Sequence, residues 1–186
     1  MLRGRLHRAR PEQILVVCTG NICRSPYICA RLAAALPHLR VESAGTQALA
    51  GQAPAAQIVR ALQAQGLDVS GSRARQLTTR DVRQAALVVT AARVHRVRVE
   101  QLDPSAAERV FTLKELARVL TRAPADSALT DLVAAAAATA HAESVEHDDD
   151  LADPYGLEDA AYEQMFATAD AALDVVVPAL RGRVTA

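Results

Sequence analysis

Apolar and polar positions come in alternating blocks along this chain. The continuous apolar run Ile14-Leu15-Val16-Val17 reads as a buried strand over 12–18. From Ser25 the apolar positions take helical spacing, which predicts a helix over 25–35, stopped near Pro37. A second strand is predicted over 40–44, ending at Gly45, then a helix over 54–65 with Gly66 as its stop signal. The apolar run 86–90 predicts a third strand, followed by a helix over 91–101. Residues 109–113 read as a fourth strand leading into a helix over 114–120. Residues 127–141 are almost pure helix formers, and 142–153 form a polar, acidic loop. The pattern closes with a long helix over 157–180, broken by Pro178.

Strands alternating with helices imply a parallel sheet covered on both faces. In such sheets ligands bind outside the carboxyl ends of the strands. The segment after Cys18 leaves that end of the first strand, so fold and candidate site coincide.

Composition narrows the class. The chain has 186 residues, 51% hydrophobic and 23% charged, enough for a single domain with a sizeable core. Aromatics make up 3% and Trp is absent, so Ala, Val and Leu must build that core. A net charge of zero argues against nucleic acid or an anionic membrane as the main partner. The exception is residues 1–11, where Arg3, Arg5, Arg8 and Arg10 form a basic arm ahead of the domain at 12–186. Its plainer reading is a solvated tail. No apolar stretch follows it as in a secretory signal, and no run would span a bilayer, so a cytoplasmic enzyme is expected. The bias toward Ala and Arg, with Lys114 the single lysine, suggests a GC-rich bacterial genome. Cys18, Cys23 and Cys29 fall in one short segment and do not form a disulfide framework, nor is zinc-like spacing present.

The chemistry concentrates in Cys18-Thr19-Gly20-Asn21-Ile22-Cys23-Arg24-Ser25-Pro26. A strand-to-helix loop aims backbone N–H groups and a helix amino terminus at one spot, which suits a phosphate-like dianion. A cysteine there is favoured as its nucleophilic thiolate. Arg24 offers a planar fork for two phosphate oxygens. Gly20 and Asn21 tolerate the left-handed backbone that turns N–H groups inward. Ser25 can donate to the Cys18 sulfur and also suits the N-cap position. A thiolate attacking a phosphomonoester needs an acid for the leaving oxygen. Asp153, held extended by Pro154 after the acidic loop, fits that need, and Tyr155 can wall an aryl slot. By itself Asp-Pro marks only a turn.

Together the two motifs resemble those of the low-molecular-weight protein tyrosine phosphatases. The similarity extends to Glu42-Ser43-Ala44-Gly45-Thr46, to Arg73-Ala74-Arg75-Gln76-Leu77 and to the helix after Ala91, covering most of residues 12–180. The resemblance implies a flavodoxin-like three-layer sandwich with a four-stranded parallel sheet of order 2-1-3-4. It implies a two-step reaction through a cysteinyl-phosphate, without metal or cofactor. Cys18 is then the nucleophile, Arg24 the phosphate clamp, and Asp153 the acid of the first step and base of the second. Thr19, Gly20, Asn21, Ile22, Cys23, Arg24 and Ser25 form the phosphate-binding loop, braced by Asn21, Ser25 and Ser43. Ile22, Leu49 and Tyr155 line the substrate pocket. Cys23 matches a second cysteine that can form a protective disulfide with Cys18, with simple space-filling as the alternative. Phosphotyrosine proteins are the implied substrates, with a bacterial tyrosine kinase as an implied partner; oligomeric state is left open.

Departures from the pattern touch the rim. Leu49 stands where an aromatic wall is common, and Ala86, Ala91 and Ala92 replace residues that are often Asp, Met and acidic. Cys29 replaces a common Glu and reads as packing.

Rival readings remain. Protein arginine phosphatases share Cys18-Thr19-Gly20-Asn21 but tend to carry Thr at position 22, where the bulk of Ile22 favours a phenyl ring. Arsenate reductases of the thioredoxin-coupled kind need a cysteine pair downstream of Cys29, and none exists. A weak phosphotyrosine-binding module would not need Cys18, Arg24 and Asp153 together, and no Gly-Lys-Ser/Thr marks a nucleotide hydrolase. The histidines, His7, His38, His95, His141 and His147, read as surface residues. The run Asp148-Asp149-Asp150 reads as a solvated loop whose charge would bear on Asp153.

Overall fold

The computed structural model describes residues 12–121, 128–142 and 148–181. Four parallel strands, β1 (Gln13–Cys18), β2 (Arg40–Gly45), β3 (Leu87–Thr90) and β4 (Val110–Thr112), lie in the order β2-β1-β3-β4. The register sets Cys18 beside Gly45 and Val17 beside Thr90, so the ends of β1, β2 and β3 open on one edge.

The apolar runs sit in the middle of the sheet because both its faces are covered. Along β1, Ile14, Val16 and Cys18 pack into one cluster with Tyr27, Leu32, Leu116 and Phe166. Leu15 and Val17 point the other way, into a cluster with Val82, Val88 and Val99. The first cluster joins the sheet to α1 (Arg24–Ala35), α5 (Leu113–Leu120) and α7 (Asp159–Arg181). The second joins it to α3 (Thr79–Gln84) and α4 (Arg93–Leu102). Helices α2 (Ala56–Ala64) and α6 (Leu129–Ala142) complete the first face. The result is three layers, as expected from the run-and-period pattern. Each fully buried aliphatic side chain contributes about 1.5–3 kcal/mol, which compensates for the shortage of aromatic rings. Two of the few aromatics, Tyr27 and Phe166, stack with centroids 4.6 Å apart.

Three expectations change. Pro178 does not break the last helix, which runs through it to Arg181. Its missing N–H frees the carbonyl of Asp174, and both residues lie on the exposed face, where water can serve that carbonyl. Helix α3 and a 3-10 turn at Pro104–Arg109 were not expected. The basic arm, Ser127, His7 and His147 lie outside the described residues. None of the described helices is long and apolar enough to cross a membrane.

Candidate active site

The loop between β1 and α1 is shaped by where its carbonyls go. Those of Cys18, Thr19, Gly20 and Ile22 accept hydrogen bonds from the backbone N–H groups of Thr46, Gln47, Leu49 and Ala55, at 2.9–3.0 Å. In a trans peptide the next N–H points opposite to the carbonyl. Pulling these carbonyls outward therefore turns the N–H groups of Thr19, Gly20, Asn21 and Cys23 toward the centre of the loop. The turn is made at Asn21, whose φ of 57° is the left-handed conformation anticipated there. Gly20 is not in that conformation.

Asn21 is also the brace. Its Nδ2 donates to Ser25 Oγ and to Ser43 Oγ, each at 2.9 Å, and its Oδ1 accepts the Arg75 N–H at 2.9 Å. Ser25 Oγ lies 2.9 Å from Cys18 Sγ. Because Ser25 already accepts from Asn21, its own proton is available to donate to the sulfur. Ser25 is not the N-cap: Cys23 holds that position, and Ser25 sits inside the first turn of α1. The hydroxyl is drawn inward to sulfur, where an N-cap would turn it back to the backbone.

Arg24 is buried, and its guanidinium is held on one side by the Leu151 carbonyl (Nη1, 3.3 Å) and by Thr19 Oγ1 (Nη2, 3.3 Å). Nη2 also meets Asp153 Oδ2 at 2.5 Å. Its Nε–H, buried, has no hydrogen-bond partner among the described residues. Arg24 thus lines the cavity with one buried donor unpartnered among the described residues.

Asp153 arrives on a loop that is pinned at several points. The Leu151 N–H donates to the Ala91 carbonyl at 2.8 Å. Asp150 accepts the Arg93 N–H at 2.7 Å, placing a carboxylate at the amino terminus of α4, where the helix dipole favours it. Asp149 pairs with Arg118 at 3.0 Å and Asp148 with Lys114 at 3.2 Å. The acidic run is therefore matched to cations on α4 and α5, and these pairings tie the loop to both helices. Beyond Asp153 the chain turns tightly, with Leu157 N–H on the Pro154 carbonyl at 3.0 Å and Gly156 at φ 76°. That third turn position requires positive φ, hence glycine. The turn leaves Tyr155 60% exposed at the mouth.

Cys18, Thr19, Gly20, Ile22, Cys23, Arg24, Gln47, Leu49, Asp153 and Tyr155 together line a cavity of about 220 Å³. The structure thus brings together the expected residues of the loop, acid and pocket wall, with Asn21, Ser25 and Ser43 behind them. Gln47 was not anticipated. A larger cavity of about 360 Å³ lies behind the loop, against Asn21, Ser43 and Cys29.

Two further residues escaped the sequence. His95, expected on the surface, is buried with its Nε2 2.9 Å from Thr19 Oγ1. Burial, and then the charge of Arg24, pull its pKa from 6.5 to about 4, so the ring is neutral. Tyr162 Oη sits 3.7 Å from Cys23 Sγ. Burial pushes Cys23 up to about 11 and Tyr162 up to about 12, so both are protonated at neutral pH. Cys29 is likewise raised to about 11 by burial and packs against the main core, as its packing role requires.

Comparison with known proteins agrees with this geometry. The family described as low molecular weight phosphotyrosine protein phosphatase matches residues 13–127. A protein named as a probable low molecular weight protein-tyrosine-phosphatase, EpsP of Ralstonia nicotianae, is 30% identical over 170 residues, covering 91% of this chain and 97% of that one. Among solved structures, the tyrosine phosphatase AmsI of Erwinia amylovora superposes with a TM-score of 0.71 at 25% identity, covering 94% of this chain and 96% of that one. The YwlE arginine phosphatase of Geobacillus stearothermophilus superposes with a TM-score of 0.70 at 26% identity, covering 90% and 92%.

Proposed function

The chain belongs to the low molecular weight phosphotyrosine protein phosphatase family, and we propose that it hydrolyses phosphotyrosine on proteins through a cysteinyl-phosphate at Cys18. The observation that carries this reading is the meeting of Cys18, Arg24 and Asp153 in one cavity walled by Ile22, Leu49 and Tyr155.

In the first step the Cys18 sulfur attacks phosphorus and the bond to the phenolic oxygen breaks. Asp153 delivers its proton to that oxygen. The inward N–H groups and the Arg24 fork hold the equatorial oxygens, where charge spreads in the transition state. In the second step Asp153, now a carboxylate, takes a proton from water. The water oxygen attacks phosphorus, the S–P bond breaks, and inorganic phosphate leaves. Ser25 donates to sulfur when it departs. Asn21 and Ser43 keep the loop in register for both steps.

Ile22 and Leu49 present apolar surface to the cavity, with Tyr155 at its mouth, and this suits a flat phenyl ring. The similarity to an arginine phosphatase supports phosphoarginine as a second reading. The apolar bulk of Ile22 weighs against it. Phosphoproteins made by a tyrosine kinase are the substrates this reading implies, and Cys23 is the partner for a protective disulfide with Cys18.

Matched phosphotyrosine and phosphoarginine peptides, assayed with and without a chelator, test the proposal. Faster turnover of phosphotyrosine, undiminished by chelation and abolished in Cys18→Ser while phosphate still binds, is expected. Faster turnover of phosphoarginine would replace the first reading by the second.

A further inference from the structure

The steps above make no use of His95, although it is 2% exposed and bonded directly to the phosphate-binding loop. Thr19 Oγ1 receives two nitrogen neighbours, Arg24 Nη2 at 3.3 Å and His95 Nε2 at 2.9 Å. A guanidinium can only donate, so Thr19 accepts from Arg24. The direction of the second bond follows from the other ring nitrogen. His95 Nδ1 is buried and has no hydrogen-bond partner among the described residues. A proton on Nδ1 would strand a buried donor, whereas a proton on Nε2 leaves only a bare acceptor, which is more often tolerated. The charged groups facing the ring are Arg24 from α1 and Asp150 and Asp153 from the acidic loop; burial and Arg24 prevail, and the ring stays neutral. The neutral ring therefore carries its proton on Nε2 and donates it to Thr19. With both lone pairs of Thr19 Oγ1 engaged, the hydroxyl proton is left over, on a residue that lines the cavity.

We propose that His95 is a positioning residue for the reaction: by donating to Thr19 Oγ1 it makes that oxygen the seat of Arg24 Nη2 and leaves the Thr19 O–H to bond a phosphate oxygen of the substrate. The proposal rests on the phosphatase reading and deepens it. A planar fork gains its catalytic effect from orientation, and a small displacement is costly. Because Arg24 works hardest where charge spreads over phosphate, loss of the prop falls on kcat more than on KM.

The test compares His95→Leu, which cannot donate, with His95→Gln, whose amide N–H reaches near the Nε2 position. On a phosphotyrosine peptide His95→Leu should lower kcat roughly tenfold with a smaller change in KM, and His95→Gln should recover to within about threefold of wild type. Thr19→Val should lose about as much as His95→Leu, and the double variant no more than either, since the two act through one bond. Calorimetry with inorganic phosphate should rank the variants in the same order, and thermal unfolding checks that each is folded. Equal losses in His95→Leu and His95→Gln, or losses that multiply in the double variant, would overturn the proposal. A shift of the rate profile above about pH 5 in His95→Gln would overturn it too, because the ring stays neutral there. A folded wild type inert toward both peptides would overturn the phosphatase reading alone; the phosphate affinities of the variants would still decide the role of His95.

Discussion

Arg24 Nη2 lies 2.5 Å from Asp153 Oδ2, although 129 residues separate them along the chain. The Arg24 side chain is 6% exposed and that of Asp153 46%, so the pair joins the buried floor of the cavity to its open mouth. Under the proposed reaction, the group that would hold the phosphate and the group that would protonate the leaving oxygen are these two partners. One contact thereby sets Arg24 and Asp153 in register.

Asp153→Asn keeps the shape of the loop and removes the transferable proton. Turnover of a phosphotyrosine peptide should fall about 10²–10⁴-fold, with a much smaller fall on an aryl phosphate whose leaving group is already acidic. Steady-state kinetics on the two substrates measures the contrast. Equal losses on both would assign the proton transfer elsewhere.

Ile22→Thr replaces apolar surface in the cavity with a hydroxyl and a smaller side chain. The ratio of kcat/KM for phosphotyrosine over phosphoarginine peptides should fall roughly tenfold, the scale of discrimination that pocket methyl groups supply. An unchanged ratio would remove Ile22 from substrate choice.

Gly45→Ala tests how tightly the loop is held against β2. A Cβ at Gly45 would stand 2.4 Å from the Thr19 carbonyl oxygen, which already accepts the Gln47 N–H. Backbone must move, at a cost of about 1–3 kcal/mol in urea unfolding, together with reduced turnover because the N–H cradle shifts. Full activity at wild-type stability would show that the loop yields freely.

His95 makes stability depend on pH. Its folded pKa, about 4, is depressed below the 6.5 of an exposed imidazole, by burial first and by Arg24 second. The unfolded chain therefore binds the proton through that window while the folded chain does not, and stability falls as pH drops from 6.5 toward 4. The loss from this one group is on the order of 3 kcal/mol. Urea unfolding at about pH 7 and about pH 4.5 should show a steeper decline in wild type than in His95→Gln. Identical slopes would mean that folding leaves the His95 pKa unshifted.

The case of His95 shows where sequence reading stops. In α4 the apolar residues Val94 and Val97 are 68% and 51% exposed, while His95 and Val99 are buried. Hydropathy alone would orient the helix otherwise; His95 turns inward with Val99, and Thr19 Oγ1 meets one of its two ring nitrogens. Helix α3 has one buried apolar residue, Val82, too few for periodicity to register. Its signal was the capping box of Thr78 and Asp81. The 3-10 turn was likewise marked by Asp103-Pro104, a cap followed by a proline. The acidic run was read by charge alone, and its partners Arg93, Lys114 and Arg118 come from elements far away in sequence.

The sequence by itself determined the four strands and most of the helices in their order, the strand-to-helix loop that carries Cys18 and Arg24, and the placing of Asp153 beside a proline. These depend on backbone preferences and on periodicity over a few residues. The tertiary structure decided that Asp153 meets Arg24, that Asp148, Asp149 and Asp150 hold the loop that carries it, and that His95 lies beneath Thr19. Such contacts exist only once the sheet has brought the ends of β1, β2 and β3 to one edge, because burial decides which distant polar groups must satisfy one another.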